Sequence, residues 1–186
     1  MNDLHNFALR TVARQFSAAE VEEITGVTGA TQRDWRRRGF LGEKREGRAH
    51  YSLDDLIEIM TLRFLTQAGL PISHAADLAG LAVLPIYANF ARWGDVSVFT
   101  GDPINEAQMA RVRGGTVKGV SDDDNWLFAA LDDENPRMGR TDDLRKLEGS
   151  LFRATCAIIL DLNSLAHKIA QRAPLPLITY HITAAD

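Results

Sequence analysis

Apolar residues in the first half of the chain recur in short blocks at helical spacing, separated by caps and glycines. Leu4, Phe7, Ala8 and Val12 predict a short helix within residues 3–14. Ser17-Ala-Ala-Glu20 is a capping box, in which a serine hydroxyl accepts from the amide three residues on while the glutamate reaches back. A helix starting there buries Val21 and Ile24 and gives way at Thr25-Gly26-Val27-Thr28 to a second helix. That helix is capped by Thr28, runs to about Arg38 and is stopped by Gly39. Phe40-Leu41, a charged run over 42–50 and the aromatic Tyr51 predict a β-hairpin. Ser52-Leu-Asp-Asp55 is a second capping box, opening a helix to about Ala68 with Leu56, Ile59, Met60, Phe64 and Leu65 inward. Gly69 ends it, and Pro71-Ile-Ser73 starts a short helix with Ser73 as its cap and Ala76, Leu78, Leu81 and Leu84 as its core face.

From Pro85 the texture changes, which predicts a domain boundary near residues 85–95. Segments 96–99, 116–120, 126–130 and 175–182 read as short strands punctuated by Gly, Asp and Pro. Between them, Leu144, Leu147, Leu151, Ala154, Ile158, Leu162, Leu165 and Ile169 step by threes and fours with one slip, predicting one long helix over 141–172. The expected organisation is an N-terminal helix (1–15), a mainly α domain with a β-hairpin wing (16–84), and a C-terminal α+β domain (85–186) with short strands and one long helix.

Composition narrows the class. With 186 residues, 45% hydrophobic and 25% charged, the chain is long enough to bury a core and is not of disordered or fibrous type. No apolar run approaches the roughly 18 residues of a membrane span, and the amino end lacks a secretory pattern. The single cysteine, Cys156, excludes an intramolecular disulfide and suits a reducing cytoplasm. The net charge of −4 hides an asymmetry: from Arg33 to Arg48 seven basic residues face three acidic ones, a local +4 that leaves −8 for the rest. Such a chain touches polyphosphate with one patch and repels it elsewhere.

Taken together, Phe16-Ser17, Glu20-Val21, Ile24-Thr-Gly-Val27, Thr31-Gln-Arg-Asp-Trp-Arg-Arg-Arg-Gly-Phe-Leu41, Gly47-Arg-Ala-His-Tyr-Ser-Leu-Asp-Asp-Leu56 and Gly69-Leu-Pro-Ile-Ser73 carry a likeness. The stretch 16–80 resembles the winged helix-turn-helix of the mercury-resistance regulator (MerR) superfamily. The physical reading agrees. Arg33 and Arg37, at i and i+4, share a helix face with Arg36 beside them, offering donors to guanine edges and phosphates. Trp35 can anchor that helix while its indole N–H reaches a phosphate. Lys44, Arg45 and Arg48 of the wing suit the flanking backbone. The DNA-binding set so defined is Thr28, Thr31, Arg33, Trp35, Arg36, Arg37, Arg38, Lys44, Arg45, Arg48, His50 and Tyr51. Two departures stand out: Gln32 occupies a usually apolar position, and Ala49 stands where an arginine is frequent. Pro85, Trp93-Gly94 and the strand-like segments interrupt the long coiled-coil helix that commonly follows in that family.

Other chemistry is weak. Asp122-Asp-Asp124 and Asp132-Asp-Glu134 read as solvated turns rather than metal ligands, and His5, His74, His167 and His181 are dispersed. Cys156 is expected to be buried on the long helix, and Trp126, Phe128 and Tyr180 to be core rather than an effector pocket. No phosphate loop or catalytic triad is present, so neither enzyme activity nor a cofactor is expected. The reading is a cytoplasmic, nucleoid-associated, sequence-specific transcription regulator. It binds a pseudo-palindromic operator in double-stranded DNA as a homodimer joined through the C-terminal domain, with contact to RNA polymerase as the resemblance implies. The alternatives are an architectural or phage-type DNA-binding protein, such as an excisionase or packaging adaptor, and a metal-dependent enzyme.

Overall fold

The computed structural model describes residues 7–42, 50–115, 125–132, 137–147 and 154–184. The chain begins with β1 (Phe7–Ala13) and β2 (Phe16–Ser17), followed by helices α1 (Ala18–Thr25) and α2 (Gly29–Arg37). Strand β3 (His50–Tyr51) leads into α3 (Leu53–Gln67), α4 (Ile72–Ala79), a 3₁₀ turn (Gly80–Ala82) and α5 (Val83–Arg92). Then come β4 (Ser97–Gly101), α6 (Glu106–Gly115), β5 (Trp126–Leu131), β6 (Arg137–Thr141), a 3₁₀ turn (Leu144–Leu147), β7 (Cys156–Asp161), α7 (Leu162–Arg172) and β8 (Ile178–Ala184). Among the described residues these strands form three small sheets, ordered β1-β8-β4, β2-β3 and β6-β5-β7.

Local signals fixed the helix starts. Ser17 Oγ accepts from the Glu20 N–H at 3.2 Å and Glu20 Oε2 accepts from the Ser17 N–H at 2.8 Å. The Ser17 N–H and the Ser17 hydroxyl, which both donate to Glu20 Oε2, hold that carboxyl below its ordinary pKa. Ser52 and Asp55 repeat the device at α3, at 2.8 and 3.1 Å. The next helix differs from expectation: α4 starts at Ile72, with Pro71 as its cap and no side-chain cap bond. Proline supplies a fixed φ there and gives up an amide that would have had no partner anyway.

One predicted helix is a strand, and another is interrupted by one. Residues 7–13 pair antiparallel with β8, Leu9 opposite Ile182, Thr11 opposite Tyr180 and Ala13 opposite Ile178. A helix of this length with four apolar positions is marginal in water, whereas β8 offers a complete seven-residue register. The predicted long helix over 141–172 is broken. Its middle forms β7, where consecutive Ile158 and Ile159 favour extended backbone and the whole segment pairs with β5. Asp161 then caps a new helix, its carboxylate accepting from the Asn163 and Ser164 N–H groups at 2.9 and 3.0 Å. Among the described residues, α7 keeps the predicted stripe, with Leu162, Leu165, Ala166 and Ile169 buried. Cys156 is therefore exposed on a strand rather than buried on a helix. The predicted strands at 96–99, 126–130 and 175–182 correspond to β4, β5 and β8, and the one at 116–120 lies outside the described residues.

Residues 85–95 span most of α5 and its exit. Pro85 sits in the first turn, where its missing N–H is harmless. Helix α5 packs on α7, and α7 on α1. Phe16, Ile24, Leu56 and Met60 share one buried cluster with Phe90, Leu127, Leu165, Ile169 and Tyr180. The C-terminal elements thereby support the N-terminal helices directly. Arg172 Nη1 donates to Ile24 O at 3.2 Å, at the end of α1.

The break at residue 161 is testable by denaturation. Asp161→Ala should destabilise the protein by about 1 kcal/mol through loss of the cap. In an uninterrupted helix the same change would be neutral or stabilising, because alanine is the better helix former.

Candidate nucleic-acid interface

Helices α1 and α2 meet at a tight turn built by three side chains. Gly26 ends α1 at φ 69°, a left-handed conformation natural to glycine, and its N–H donates to Glu22 O at 2.7 Å. Thr28 Oγ1 accepts from the Thr31 N–H at 3.3 Å and lies 3.0 Å from the Thr31 hydroxyl. Glu22 Oε2 takes the Gly29 N–H at 2.9 Å. Gln32, unusual for its polarity, is fully buried, and its amide donates to Val27 O at 2.7 Å and to Ala18 O at 3.4 Å. It thus stitches α2 to the turn and to the start of α1, a role no apolar residue could fill.

The basic residues of α2 fall into three states. Arg33 is exposed and has no ion-pair partner among the described residues. Arg37 and Arg38 share Asp34, at 2.5 and 3.6 Å, with side chains 80% and 50% exposed. Arg38 also lies over the Phe40 ring at 4.7 Å. Arg36 is turned inward: its guanidinium pairs with Asp55 Oδ1 at 3.1 Å and sits 4.2 Å above the Tyr51 ring. The other oxygen of Asp55 is the one that caps α3. One carboxylate therefore ties α2, β3 and α3 together.

Among the sequence-predicted residues, Trp35 is buried, as its anchoring role requires, and so is Tyr51. Neither presents a surface comparable to Arg33. His50 is exposed on β3, opposite Ser17. Thr28 is exposed and Thr31 half-buried at the open end of α2. Lys44, Arg45 and Arg48 lie outside the described residues, as does the predicted wing hairpin apart from Phe40, Leu41, Gly42, His50 and Tyr51. The sequence missed Gln32 and Asp55: one looked like a departure from pattern and the other like a cap alone.

Elsewhere, the described residues contain no group of three His, Cys, Asp or Glu able to hold a metal ion. No helix among them is long and apolar enough to cross a membrane. Trp126 and Phe128 lie on β5, while Tyr180 is buried on β8 and stacks on Phe99 with ring centroids 5.0 Å apart, so the three do not line one pocket.

Two helices at a tight turn, the second basic and open at its amino end, define a helix-turn-helix. Residues 16–80 match the model of the MerR HTH family regulatory proteins, so this stretch, about a third of the chain, is a MerR-type helix-turn-helix. No curated protein sequence matches the chain. The match supports a DNA-binding transcription regulator in general terms, and the family is regulatory rather than enzymatic.

The division of labour among the arginines predicts a split in stability. Arg36→Ala should lower it by about 1–3 kcal/mol, since Asp55 is left without its partner and the Tyr51 ring uncovered. Arg33→Ala should stay within about 0.5 kcal/mol. Urea denaturation of both variants measures the difference.

A pH dependence is also expected on α3. Burial, then the nearby Asp55 and Asp54, raise the Glu58 carboxyl above the ordinary glutamate range. An acid whose folded pKa is raised favours the protonated form, so its ionisation destabilises the fold as pH climbs from the ordinary value through the raised one. Glu58→Gln should therefore melt higher than the unsubstituted protein at about pH 8, with the gap closing at about pH 4 and below. Thermal melts across that range read it directly.

Proposed function

We propose that the protein is a sequence-specific transcription regulator that binds double-stranded DNA with α2 as its recognition helix. The observation that carries this reading is Arg33, exposed and without an ion-pair partner among the described residues, on a helix whose own anchors, Gln32, Trp35 and Arg36, all point inward. Arg33 reads a base edge in the major groove, where a good bidentate contact is worth about 1–3 kcal/mol. Thr28 and Thr31 meet phosphate at the amino end of the helix, where the helix dipole favours an anion. Arg37 and Arg38 leave Asp34 for the backbone. Lys44, Arg45, Arg48 and His50 of the wing do the same in the flanking groove. Trp35, Arg36 and Tyr51 act as positioning residues.

One such module reads only a few base pairs, so two act together as a homodimer on a pseudo-palindromic operator. The reading places the protein in the cytoplasm, at the nucleoid, with RNA polymerase as a further partner. An architectural role would use the same surface to bend DNA without changing transcription.

Selection of a binding duplex from a randomised pool, followed by anisotropy titration, tests the reading. Arg33→Ala should weaken binding to the selected duplex by about 5- to 150-fold and relax preference at one position. Arg45→Ala and Arg48→Ala should instead weaken binding to all sequences alike, each flattening the log–log salt slope by about 0.9. Unchanged affinity in a folded Arg33→Ala variant would remove α2 from the interface.

A further inference from the structure

The sheet β6-β5-β7 has two edges of opposite character. The outer strand β6 carries Arg137 and Arg140 around Gly139, the charged and irregular kind of edge that resists pairing. At the other edge, β7 reads Cys-Ala-Ile-Ile-Leu before its first charge at Asp161, with no proline and no lysine. Cys156, Ala157 and Ile159 are exposed there, Ile159 at 42%, and no strand of the described residues pairs on that side. The outer edges of the other large sheet are less bare: β1 carries the exposed Arg10, and β4 is five residues ending in glycine.

The backbone of β7 shows which groups are unspent. Trp126 pairs with Asp161, and one step beyond, the Leu162 N–H donates to Asn125 O at 2.8 Å. Hydrogen-bonded pairs alternate along an antiparallel ladder. Leu160, Ile158 and Cys156 therefore spend their N–H and C=O groups on β5, and Ala157 and Ile159 aim both of theirs at the open edge, as Asp161 does its N–H, its C=O being taken by the first turn of α7.

We infer that β7 pairs antiparallel with β7 of a second copy of this chain, with Ile159 opposite its own counterpart. This deepens the proposed function, since it rests on the reading that two modules act together. Symmetry selects the register. A two-fold axis normal to the sheet keeps each side chain on its own face, and side chains opposite one another share a face. Only a register that sets a residue against itself satisfies both conditions. Ile159 is the central one of the three outward-aimed residues and the large exposed apolar side chain of the strand, so this register pairs its N–H and C=O with their own counterparts and lets the partner's Asp161 N–H donate to Ala157 O. A six-stranded sheet results, β6-β5-β7-β7-β5-β6, whose outer edges are the arginine-bearing β6 strands. The second copy suits this edge because the strand is short, self-complementary and uncharged at its centre, and because α7 follows it without a linker. Helix α7 packs on α1, where Arg172 holds the carbonyl of Ile24, so joining two β7 strands also sets the separation of two recognition helices.

The full-length protein decides this without DNA. Light scattering should give a dimer for the unsubstituted chain and a monomer with unchanged circular dichroism for Ile159→Lys. In a Cys156→Ser background, Ile159→Cys should form a disulfide dimer under mild oxidation, because a hydrogen-bonded pair has its Cα atoms about 5.5 Å apart, within disulfide range. Ala157→Cys in the same background should not, its counterpart being about 13 Å away along the strands. A monomeric unsubstituted protein, a dimeric Ile159→Lys variant, or cross-linking through Ala157→Cys but not Ile159→Cys would overturn the pairing. The DNA reading fails separately: an edge-paired dimer that selects no duplex from the randomised pool keeps the pairing and loses the operator.

Discussion

The carboxylate of Asp55 is the constraint on which the candidate interface depends. One oxygen caps α3 through Ser52 and the other holds Arg36, whose guanidinium sits over the Tyr51 ring. A cap is a local device and an ion pair a long-range one, and here the same group does both. The direction in which α2 presents Arg33 is therefore coupled to where α3 begins and to the strand that returns from the wing. Because Arg36 and Asp55 are largely shielded from water, their attraction is screened less than that of Arg37 or Arg38 with Asp34. The inward arginine is structural for the same reason that the outward ones are available.

How far the fold could be read from sequence followed the range of the interactions that determine it. Ser17, Thr28, Ser52, Gly26 and Gly39 act within a few residues, and the helices they bound were legible. β1 and β7 were not. Each is decided by a partner strand remote in sequence, β8 for one and β5 for the other, and a ten-residue window with apolar residues at threes and fours does not contain that information. The run from Leu144 to Ile169 misled because Ile158 lies on β7, so that among the described residues the α-helical part of the run is α7, from Leu162. Cys156 changed environment with it.

At the site, residue types were legible and allegiances were not. Arg33 and Arg37 on one face follow from their spacing alone. That Arg36 belongs to Asp55, nineteen positions on, requires the return of the chain through Tyr51. Gln32 illustrates the converse. Its polarity looked like a departure, yet Val27 O in a dry turn needs a donor, and an amide supplies one where an aliphatic chain could not.

The helix-turn-helix is also less separate from the rest of the chain than its third of the sequence suggests. Two guanidiniums reach the carboxyl end of α1: Arg63 of α3 donates to Thr25 O and Arg172 of α7 to Ile24 O. A helix end carries partial negative charge, so both cations are favourably placed. One comes from inside the matched segment and the other from near the end of the chain. Since α7 follows directly on β7, displacement of that edge would reach the turn before α2 through a single packed helix and one hydrogen bond. On the proposed reading, the acidic remainder of the sequence adds a second, non-directional constraint, repelling a polyphosphate and favouring approach at the basic stretch. Orientation is thus set by contacts and approach by charge, and only the first is sensitive to where β7 lies.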